Sequence, residues 1–409
     1  MRRVVITGMG AVSPFGRGID RLIEALAANE SGVRRVPELA QVGGIRTGVG
    51  ALVPDMDARE IPRRFRRSMS KMSIYATLAS QEAALQGHVT PLQYGSGQFG
   101  LAIGSTIGSP IATNEFYRDF ISTASIDSTR STFFFQIMNH SCASNVAQAL
   151  GVSGRVMAPS AACSTSCQAI GLAYETIAFK KQEMMLCGGA DEFHPLTAAT
   201  FDIINASSVK YNDRPSKTPR PFDRDRDGVV CAEGCGILLL ESLDSARERG
   251  ATILGEIAGF STLSDPKSIV EPDAESIESC IAGVLADARV GADEIGYVNA
   301  HATGTIQGDI AECAAIAAVF GKNVPVSSLK GHLGHTLAAS GALEIIATIA
   351  MMNRGRLIPT LNLDNADPLC DNIRHVTGSE TAEVVYALKN NFALGGINSS
   401  IILRKYKDD

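Results

Sequence analysis

The chain has 409 residues, of which 45% are hydrophobic and 20% are charged, as in globular proteins. Its 37 basic and 43 acidic side chains give a formal net charge of −6, which argues against a nucleic-acid partner. The absence of a long apolar run excludes a membrane span, and the N-terminal apolar run is too short for a secretory signal. Nine scattered cysteines, an odd number, predict reduced thiols in the cytoplasm.

The N-terminal segment predicts a buried strand over residues 3–7, followed by a glycine-containing turn over residues 8–16. The glycines suggest a dinucleotide-binding loop. That interpretation fails because Ser13 and Pro14 stand where a phosphate-binding helix should begin, and no acidic residue follows at the expected spacing.

Residues 62–71 form the one dense basic cluster of an acidic chain. Arg63, Arg64 and Arg67 have a spacing that would place them on one side of a helix. The cluster is therefore either a solvated helix face or a docking surface for an acidic partner, and the local sequence leaves both interpretations open.

From Phe99 onward, apolar runs alternate with helical stretches, a pattern that predicts an α/β layered fold. Within it, Cys163 follows a run of small residues and precedes a helix predicted from Gln168. Backbone N–H groups at a helix start favour a thiolate, so Cys163 is a candidate nucleophile. The alternative is that Cys163 is a small, inert core residue.

Three patterns match metal-binding motifs only in part. Residues 223–234 carry the aspartates of a calcium loop, but Gly234 occupies the last position, where a glutamate is required. Two Cys-x₃-Cys pairs lack the turns of a zinc knuckle, and two histidines three residues apart lack a third ligand. We therefore expect no metal. The residues concerned are Cys163, Cys167, Cys231, Cys235, His332 and His335.

The length of the chain predicts two domains or two fused halves, with a boundary near residue 250, giving residues 1–250 and 251–409. In the second half, residues 297–309 contain His301 before a helix predicted over 310–320, and residues 326–339 contain Lys330 and His335. Two imidazoles beside a cysteine can donate hydrogen bonds to an oxyanion or an enolate, although each could also be an ordinary loop histidine.

Four segments, PSAACSTS, NAHATGT, LKGHLGH and NFALGGIN, resemble in order and spacing the active-site segments of the β-ketoacyl-acyl carrier protein synthases. The type I enzymes of bacterial fatty acid synthesis are the most similar in length and layout. The resemblance covers essentially the whole chain. It implies a thiolase-like α/β fold of two similar halves in five αβαβα layers, working as a homodimer, with a heterodimer left open.

The resemblance also implies the role of each site residue. Cys163 would carry the acyl group, while His301 and His335 would bind the malonyl thioester and stabilise its enolate. Lys330 would pair with Glu344, and the backbone N–H groups of Cys163 and Leu394 would form the oxyanion hole. Substrate-binding residues would be Thr303, Thr305, Ile107, Phe392, Leu394 and Met138, with Asp309 and Glu344 as structural support.

The basic cluster would receive the acyl carrier protein, whose phosphopantetheine carries the substrates, so no separate cofactor is expected. Both histidines are expected to be neutral at pH 7, because charged rings would repel Lys330. Leu394 replaces the usual gating phenylalanine, and Ile107 stands at a variable pocket position, which together indicate a specialised lipid or polyene pathway.

Two other functions are compatible with such a fold. A thiolase would need a second catalytic cysteine, where this chain has histidines. A non-catalytic partner subunit, similar to a chain-length factor, would normally lack the cysteine that this chain retains as Cys163.

Overall fold

The computed structural model describes residues 1–127 and 129–407. The strands are β1 Val4–Ser13, β2 Gly16–Arg17, β3 Arg34–Arg35, β4 Val49–Gly50, β5 Phe99–Gly104, β6 Val156–Met157, β7 Met184–Asp191, β8 Gly234–Ser242, β9 Gly255–Ser264, β10 Ile295–Asn299, β11 Pro325–Ser327, β12 Arg356–Leu357, β13 Arg374–His375, β14 Glu380–Thr381, β15 Tyr386–Ala393 and β16 Ile397–Arg404. The helices are α1 Ile19–Ala27, α2 Arg63–Arg66, α3 Lys71–Gln86, α4 Pro91–Tyr94, α5 Pro110–Thr123, α6 Phe133–Gln136, α7 Ser141–Leu150, α8 Thr165–Ala178, α9 Pro195–Ile203, α10 Leu243–Glu248, α11 Ala274–Ala288, α12 Ile306–Phe320, α13 Lys330–Leu333 and α14 Ser340–Arg354.

The main sheet has 12 strands in the order β13-β11-β10-β15-β16-β9-β1-β8-β7-β5-β6, with β2 beside β1. From β1 outward, successive neighbours through β8, β7, β5 and β6 pair antiparallel, antiparallel, parallel and parallel. From β9, the neighbours β16, β15, β10 and β11 repeat the same sequence of pairings. The expectation of two similar α/β halves is confirmed, and the β1–β9 pairing joins them.

Helices cover this sheet in layers. Helices α3 and α7 pack on the outer side of the first half, and α11, backed by α12, packs on the outer side of the second. Helices α8 and α14 lie between the halves and contact strands of both. Helix α14 is buried on almost every side, which suits its apolar sequence. The order of layers is αβαβα, as expected.

Strand β1 continues through residues 8–13 of the predicted glycine turn, so the turn is confined to residues 14–15 and the rest of that prediction was wrong. A Cβ atom at Gly8 or Gly10 would clash with the backbone oxygen of Ala83 or Ala79 in α3. The glycines therefore serve close packing of a helix against an extended strand, a second use of glycine that the sequence pattern does not distinguish from a turn.

Two helices begin about one turn earlier than predicted: α8 starts at Thr165 and α12 at Ile306. The first turn of α8 carries Thr165, Ser166 and Cys167, and that of α12 includes Gln307, Gly308 and Asp309, so the apolar periodicity begins only later in both helices. The boundary near residue 250 stays a prediction; that residue follows α10. Within the described residues, no helix is long and apolar enough to cross a bilayer.

Candidate active site

Cys163 lies in a single 3₁₀ turn, Ala162–Ser164, directly before α8. Ala162 has a φ of 46°, in the left-handed region that is costly for a residue with a Cβ. Ser164 fastens this turn to the other half, because its Oγ donates to the carbonyl oxygens of Asn391 at 3.0 Å and Ile397 at 2.8 Å. The cysteine is thus held at the junction of the two halves.

Cys163, His301 and His335 converge on one point although they come from different halves. The Cys163 Sγ lies 2.8 Å from Nε2 of His335. The sulfur and one nitrogen of each ring lie within 4.8 Å of one another. The two rings stand edge to face, with centroids 5.4 Å apart and planes at 82°. The sequence-predicted nucleophile and imidazoles therefore form one buried cluster.

The Cys163 thiol is less acidic than its position suggests. Burial raises the pKa of Cys163 to about 12, although Lys330 and the backbone N–H groups of Cys163 and Leu394 act in the opposite direction. The resting residue is therefore a thiol and not the expected thiolate. His335 Nε2 is placed to accept its proton, and the two backbone N–H groups both face the sulfur.

Both imidazoles are neutral at pH 7, as expected. Burial, followed by the charge of Lys330, lowers the pKa of His301 and of His335 well below the usual value. The Nδ2 of Asn391, which is a donor, lies 3.4 Å from Nδ1 of His301. This contact makes Nδ1 the acceptor and leaves the ring proton on Nε2, where it can be donated to a substrate oxygen.

The charged residues expected around the site are buried and paired. Lys330 Nζ donates to Glu344 Oε1 at 2.7 Å, and burial lowers the pKa of Lys330. The carboxylate of Asp309 accepts from the backbone N–H groups of Phe222 at 2.8 Å and Gly304 at 3.1 Å. Burial raises the pKa of Asp309 to about 7. Asp309 thus supports the loop that carries Thr303 and Thr305 and does not touch the reacting atoms.

A cavity of about 420 Å³ leads to the cluster. It is lined by Cys163, His301, His335, Thr303, Thr305, Phe392 and Leu394. Ile107 and Met138 are not among the residues that line it, and Ile107 is 45% exposed. Of the residues expected at the substrate, four therefore face this cavity and two lie outside it.

Of the four arginines in the basic cluster, Arg63, Arg64 and Arg67 are exposed. Helix α2 has four residues, Arg63–Arg66, and Arg67 follows as its C-cap. The long helical face that the spacing indicated is therefore absent, but the guanidinium groups share one short surface turn.

Among the residues that the structure describes, the predicted calcium loop, the two cysteine pairs and the histidine pair do not form metal-ligand groups of their own. The Asp223 and Asp227 carboxylates accept hydrogen bonds from nearby backbone N–H groups. His332 Nε2 lies 3.4 Å from Asn29 Oδ1, away from the cluster, and its burial lowers its pKa to about 4. Within the described part of the chain, the group with metal-ligand spacing is Cys163, His301 and His335 itself. The absence of a metal stays a prediction.

The sequence interpretation missed three residues behind the rings. Glu312 accepts from the backbone N–H groups of His301 at 2.8 Å and Ala302 at 2.7 Å, and so fixes the loop after β10. Asn391 contacts His301 as described, and Lys389 is fully buried beside Glu344. A charged residue inside an apolar strand or helix is the signal that was available for Lys389 and Glu312.

Comparisons with known proteins agree with this geometry. Models of the beta-ketoacyl synthase N-terminal and C-terminal domains match residues 1–246 and 254–364. The chain is 33% identical to a 3-oxoacyl-[acyl-carrier-protein] synthase 1 of Haemophilus influenzae, over 99% of this chain and 100% of that protein.

Two solved structures are similar over nearly their whole length. A beta-ketoacyl synthase from Burkholderia phymatum superposes with a TM-score of 0.96 and 41% identity, covering 100% of both chains. The ketosynthase of AntDE:AntF, a type II PKS complex with an acyl-carrier protein, superposes with a TM-score of 0.91 and 29% identity, covering 99% of this chain and 100% of that one.

Proposed function

Because the chain belongs to the β-ketoacyl synthase family of condensing enzymes, we propose a role for each site residue in the decarboxylative condensation of an acyl thioester with malonyl-acyl carrier protein. The observation that carries the assignment is the 2.8 Å contact between Cys163 Sγ and His335 Nε2, with His301 beside it at the end of the cavity. A non-catalytic partner subunit or a thiolase is not favoured, since cysteine and both histidines are present.

In the first step, Cys163 Sγ attacks the carbonyl carbon of the incoming acyl thioester while His335 Nε2 accepts its proton. The tetrahedral oxyanion receives hydrogen bonds from the backbone N–H groups of Cys163 and Leu394, which already face the sulfur. The pantetheine sulfur leaves with the proton from His335. Breaking one thioester while forming another keeps the step nearly balanced in energy, so a neutral thiol with an adjacent base is sufficient.

In the second step, the malonyl thioester oxygen accepts hydrogen bonds from Nε2–H of His301 and of His335, whose neutral ring has first moved its single proton from Nδ1 to Nε2 by exchange with solvent. The carbon–carbon bond to the carboxylate breaks and carbon dioxide leaves. The electron pair of that bond stays on the remaining carbon and forms the enolate, which both rings stabilise. The enolate carbon attacks the acyl group on Cys163, whose sulfur leaves and regains a proton from solvent. Neutral rings suit this step, because a strong base is not required once decarboxylation supplies the carbanion.

We assign different residues to the different parts of the two substrates. We assign Thr303 and Thr305, with Phe392 and Leu394, to the pantetheine arm and malonyl group, because these residues line the cavity beside the rings. Ile107 and Met138 are assigned to the acyl chain, at a face that a second subunit would close. Since phosphopantetheine of the carrier delivers both groups, the reaction needs no other cofactor, and we place it in the cytoplasm.

A second copy of this chain is the partner proposed for the apolar face around Ile107. A large contiguous patch of exposed apolar side chains usually marks a protein–protein interaction site. Those exposed between residues 107 and 134 are Ile107, Tyr117, Phe120, Ile121, Ile126 and Phe134. Light scattering of the purified protein should give twice the chain mass, and a stable monomer would contradict the homodimer proposal. A heterodimer would instead be indicated if the protein became active only when a different chain is added.

The function is tested with purified protein, malonyl-carrier and a panel of acyl-carriers, scored by product mass. We expect carbon dioxide release and a β-ketoacyl product two carbons longer, with the acyl group first trapped on the Cys163 peptide. Leu394 stands where a gating phenylalanine is usual, and Ile107 places a branched side chain at a variable pocket position. For these two reasons we propose a specialised lipid or polyene pathway. Loss of all products with an unmodified Cys163 would contradict the assignment.

A further inference from the structure

A second buried lysine, Lys389, lies behind the histidines and has no role in the steps above. It is carried by β15, and its side chain is 0% exposed, as is that of Lys330. Few lysines are fully buried in proteins, because removing an ammonium from water is costly unless it is paired. Two such lysines at one site indicate that their charge has a use there.

The contacts of Lys389 account for its burial. Its Nζ lies 2.7 Å from Glu344 Oε2 in an ion pair that is not aligned as a hydrogen bond. Nζ also donates to the carbonyl oxygens of Asn390 at 2.5 Å and Ala300 at 3.5 Å. Ala300 immediately precedes His301, so the ammonium is connected to the backbone that carries one catalytic ring.

Glu344 therefore serves two cations, with Lys330 on Oε1 and Lys389 on Oε2, both at 2.7 Å. The other buried carboxylate near the rings, Glu312, is occupied by the backbone N–H groups of His301 and Ala302. Other titratable groups that face this cluster include Cys163, Cys167, Tyr297, His301 and His335, and the buried carboxylate of Asp191 acts on Cys163 from the first half. Behind the rings, two lysines thus lie beside two carboxylates, one of which the lysines share.

We propose that Lys389 is a positioning residue which, together with Lys330, keeps both catalytic imidazoles unprotonated during condensation. The inference rests on the proposed function and deepens it. A nearby cation helps an imidazole to stay neutral, because in a site without water it repels the positive charge that a protonated ring would carry. In agreement with this geometry, Lys389 is one of the charges that lower the pKa of His301 and of His335.

The sign of the pH effect follows. If the cation at 389 is removed, the pKa values of the rings rise, so the rings become protonated at a higher pH as the solution is acidified. Activity that needs neutral rings is then lost at a higher pH than in the wild type. The shift cannot exceed the return of the rings to the ordinary histidine range.

The test is the pH dependence of single-turnover condensation by pre-acylated enzyme, measured over a pH range of roughly 5 to 8. In Lys389→Met, we expect the acid-side midpoint to move upward by about one pH unit, with a smaller loss of rate at pH 8 than at pH 6. Lys389→Gln serves as the second variant in case methionine prevents folding. Asn353→Leu, which removes a hydrogen bond to the Leu254 carbonyl away from the site, is the control and should leave the midpoint unchanged.

An equal loss of rate at every pH would show that Lys389 contributes only structure and would overturn the proposal. Failure of both Lys389 variants to fold, judged by thermal unfolding, would overturn it in the same way. If the wild type itself does not condense the substrates, the proposed function fails instead. A wild type that condenses, beside a variant with an unshifted midpoint, removes only the inference about Lys389.

Discussion

At the scale of single residues, burial weakens both Cys163 as a nucleophile and His335 as a base, and their contact offsets this loss. A buried thiol with a pKa of about 12 is a poor nucleophile alone, and a buried imidazole is a poor base. Placed 2.8 Å apart, each compensates for the other, because the proton moves to the ring only when the sulfur attacks. For the second ring, His301, the proposed role is donation to the enolate, which it shares with His335.

His301→Ala should therefore affect the two steps differently. We expect malonyl decarboxylation and condensation to fall by about 10²–10³-fold, the range for loss of one donor to a developing oxyanion. Acylation of Cys163, which uses His335, should fall much less. Carbon dioxide release and the mass of the acyl-enzyme measure the two steps separately, with His375→Ala as a control for loss of a partly buried ring elsewhere. Intact decarboxylation in His301→Ala would show the assigned role to be wrong.

Asn391 links the nucleophile to this ring. The two hydrogens of its Nδ2 are shared among the Cys163 carbonyl oxygen and Ser340 Oγ, both at 3.0 Å, and the more distant His301 Nδ1, while its Oδ1 accepts from Cys167 Sγ at 3.2 Å. These partners fix which end of the amide faces His301. Asn391 is thus a positioning residue that selects the tautomer of the ring.

Asn391→Leu should lower decarboxylation by about 10- to 100-fold, a cost typical of losing an outer hydrogen-bond partner that orients a functional histidine. The reason is that Nδ1 of His301 then loses its donor, and the proton need not stay on Nε2. Acyl transfer to Cys163 and release of carbon dioxide are measured side by side. A variant with equal losses in both steps would point to a displaced Cys163 turn and not to the tautomer.

At the scale of elements, the turn between β15 and β16 connects the oxyanion hole to a cavity wall. Leu394, at its start, supplies the N–H group that faces the sulfur. Two backbone hydrogen bonds, from Gly395 N to Ile269 O at 2.8 Å and from Asp265 N to Gly396 O at 2.7 Å, fasten it to the loop over residues 265–272. The position of the oxyanion donor therefore depends on contacts outside the motif.

Gly396→Ala should disturb this turn more than Gly395→Ala, which makes the two glycines a matched pair. Both have positive φ, 75° and 92°, so each alanine carries a backbone cost of about 1 kcal/mol or more. Only at Gly396 would the new Cβ also clash, with the carbonyl oxygen of Asp265. We expect clearly slower acylation of Cys163 in Gly396→Ala than in Gly395→Ala, measured by mass spectrometry. Equal rates in the two variants would show that the clash at residue 396 has no effect beyond the backbone strain that both share.

These elements also show what the sequence could predict. Cys163, His301, Lys330 and His335 were found because each lies in a short segment whose small neighbours and spacing are specific. Lys389 and Asn391 were not, because their roles depend on partners contributed by several other elements of the fold. The length of β1 was missed for the same reason, since the glycines that suggest a turn are explained only by the backbone of α3 behind them.

At the scale of the whole molecule, the duplicated pattern of strands places one chemical function in each half. The first half carries the nucleophile before α8, and the second carries both imidazoles and the lysines. Neither half alone holds a complete site, and the middle helices α8 and α14 set the distance between them. We expect the substrates to reach this junction through the cavity, on the pantetheine arm proposed above.

The exposed arginines on and after α2 should decide how efficiently the carrier delivers that arm. Changing Arg63, Arg64 and Arg67 to glutamate should raise KM for malonyl-carrier by about tenfold or more and leave kcat nearly unchanged, because charge reversal repels an acidic partner before chemistry begins. Added salt should raise the wild-type KM and narrow the difference, since charges separated by more than about 8–10 Å are screened. Arg34→Glu with Arg35→Glu, exposed on β3, is the matched control. Equal KM values in both sets of variants would remove the docking role from this surface, whereas a loss confined to kcat would assign these arginines to the site itself.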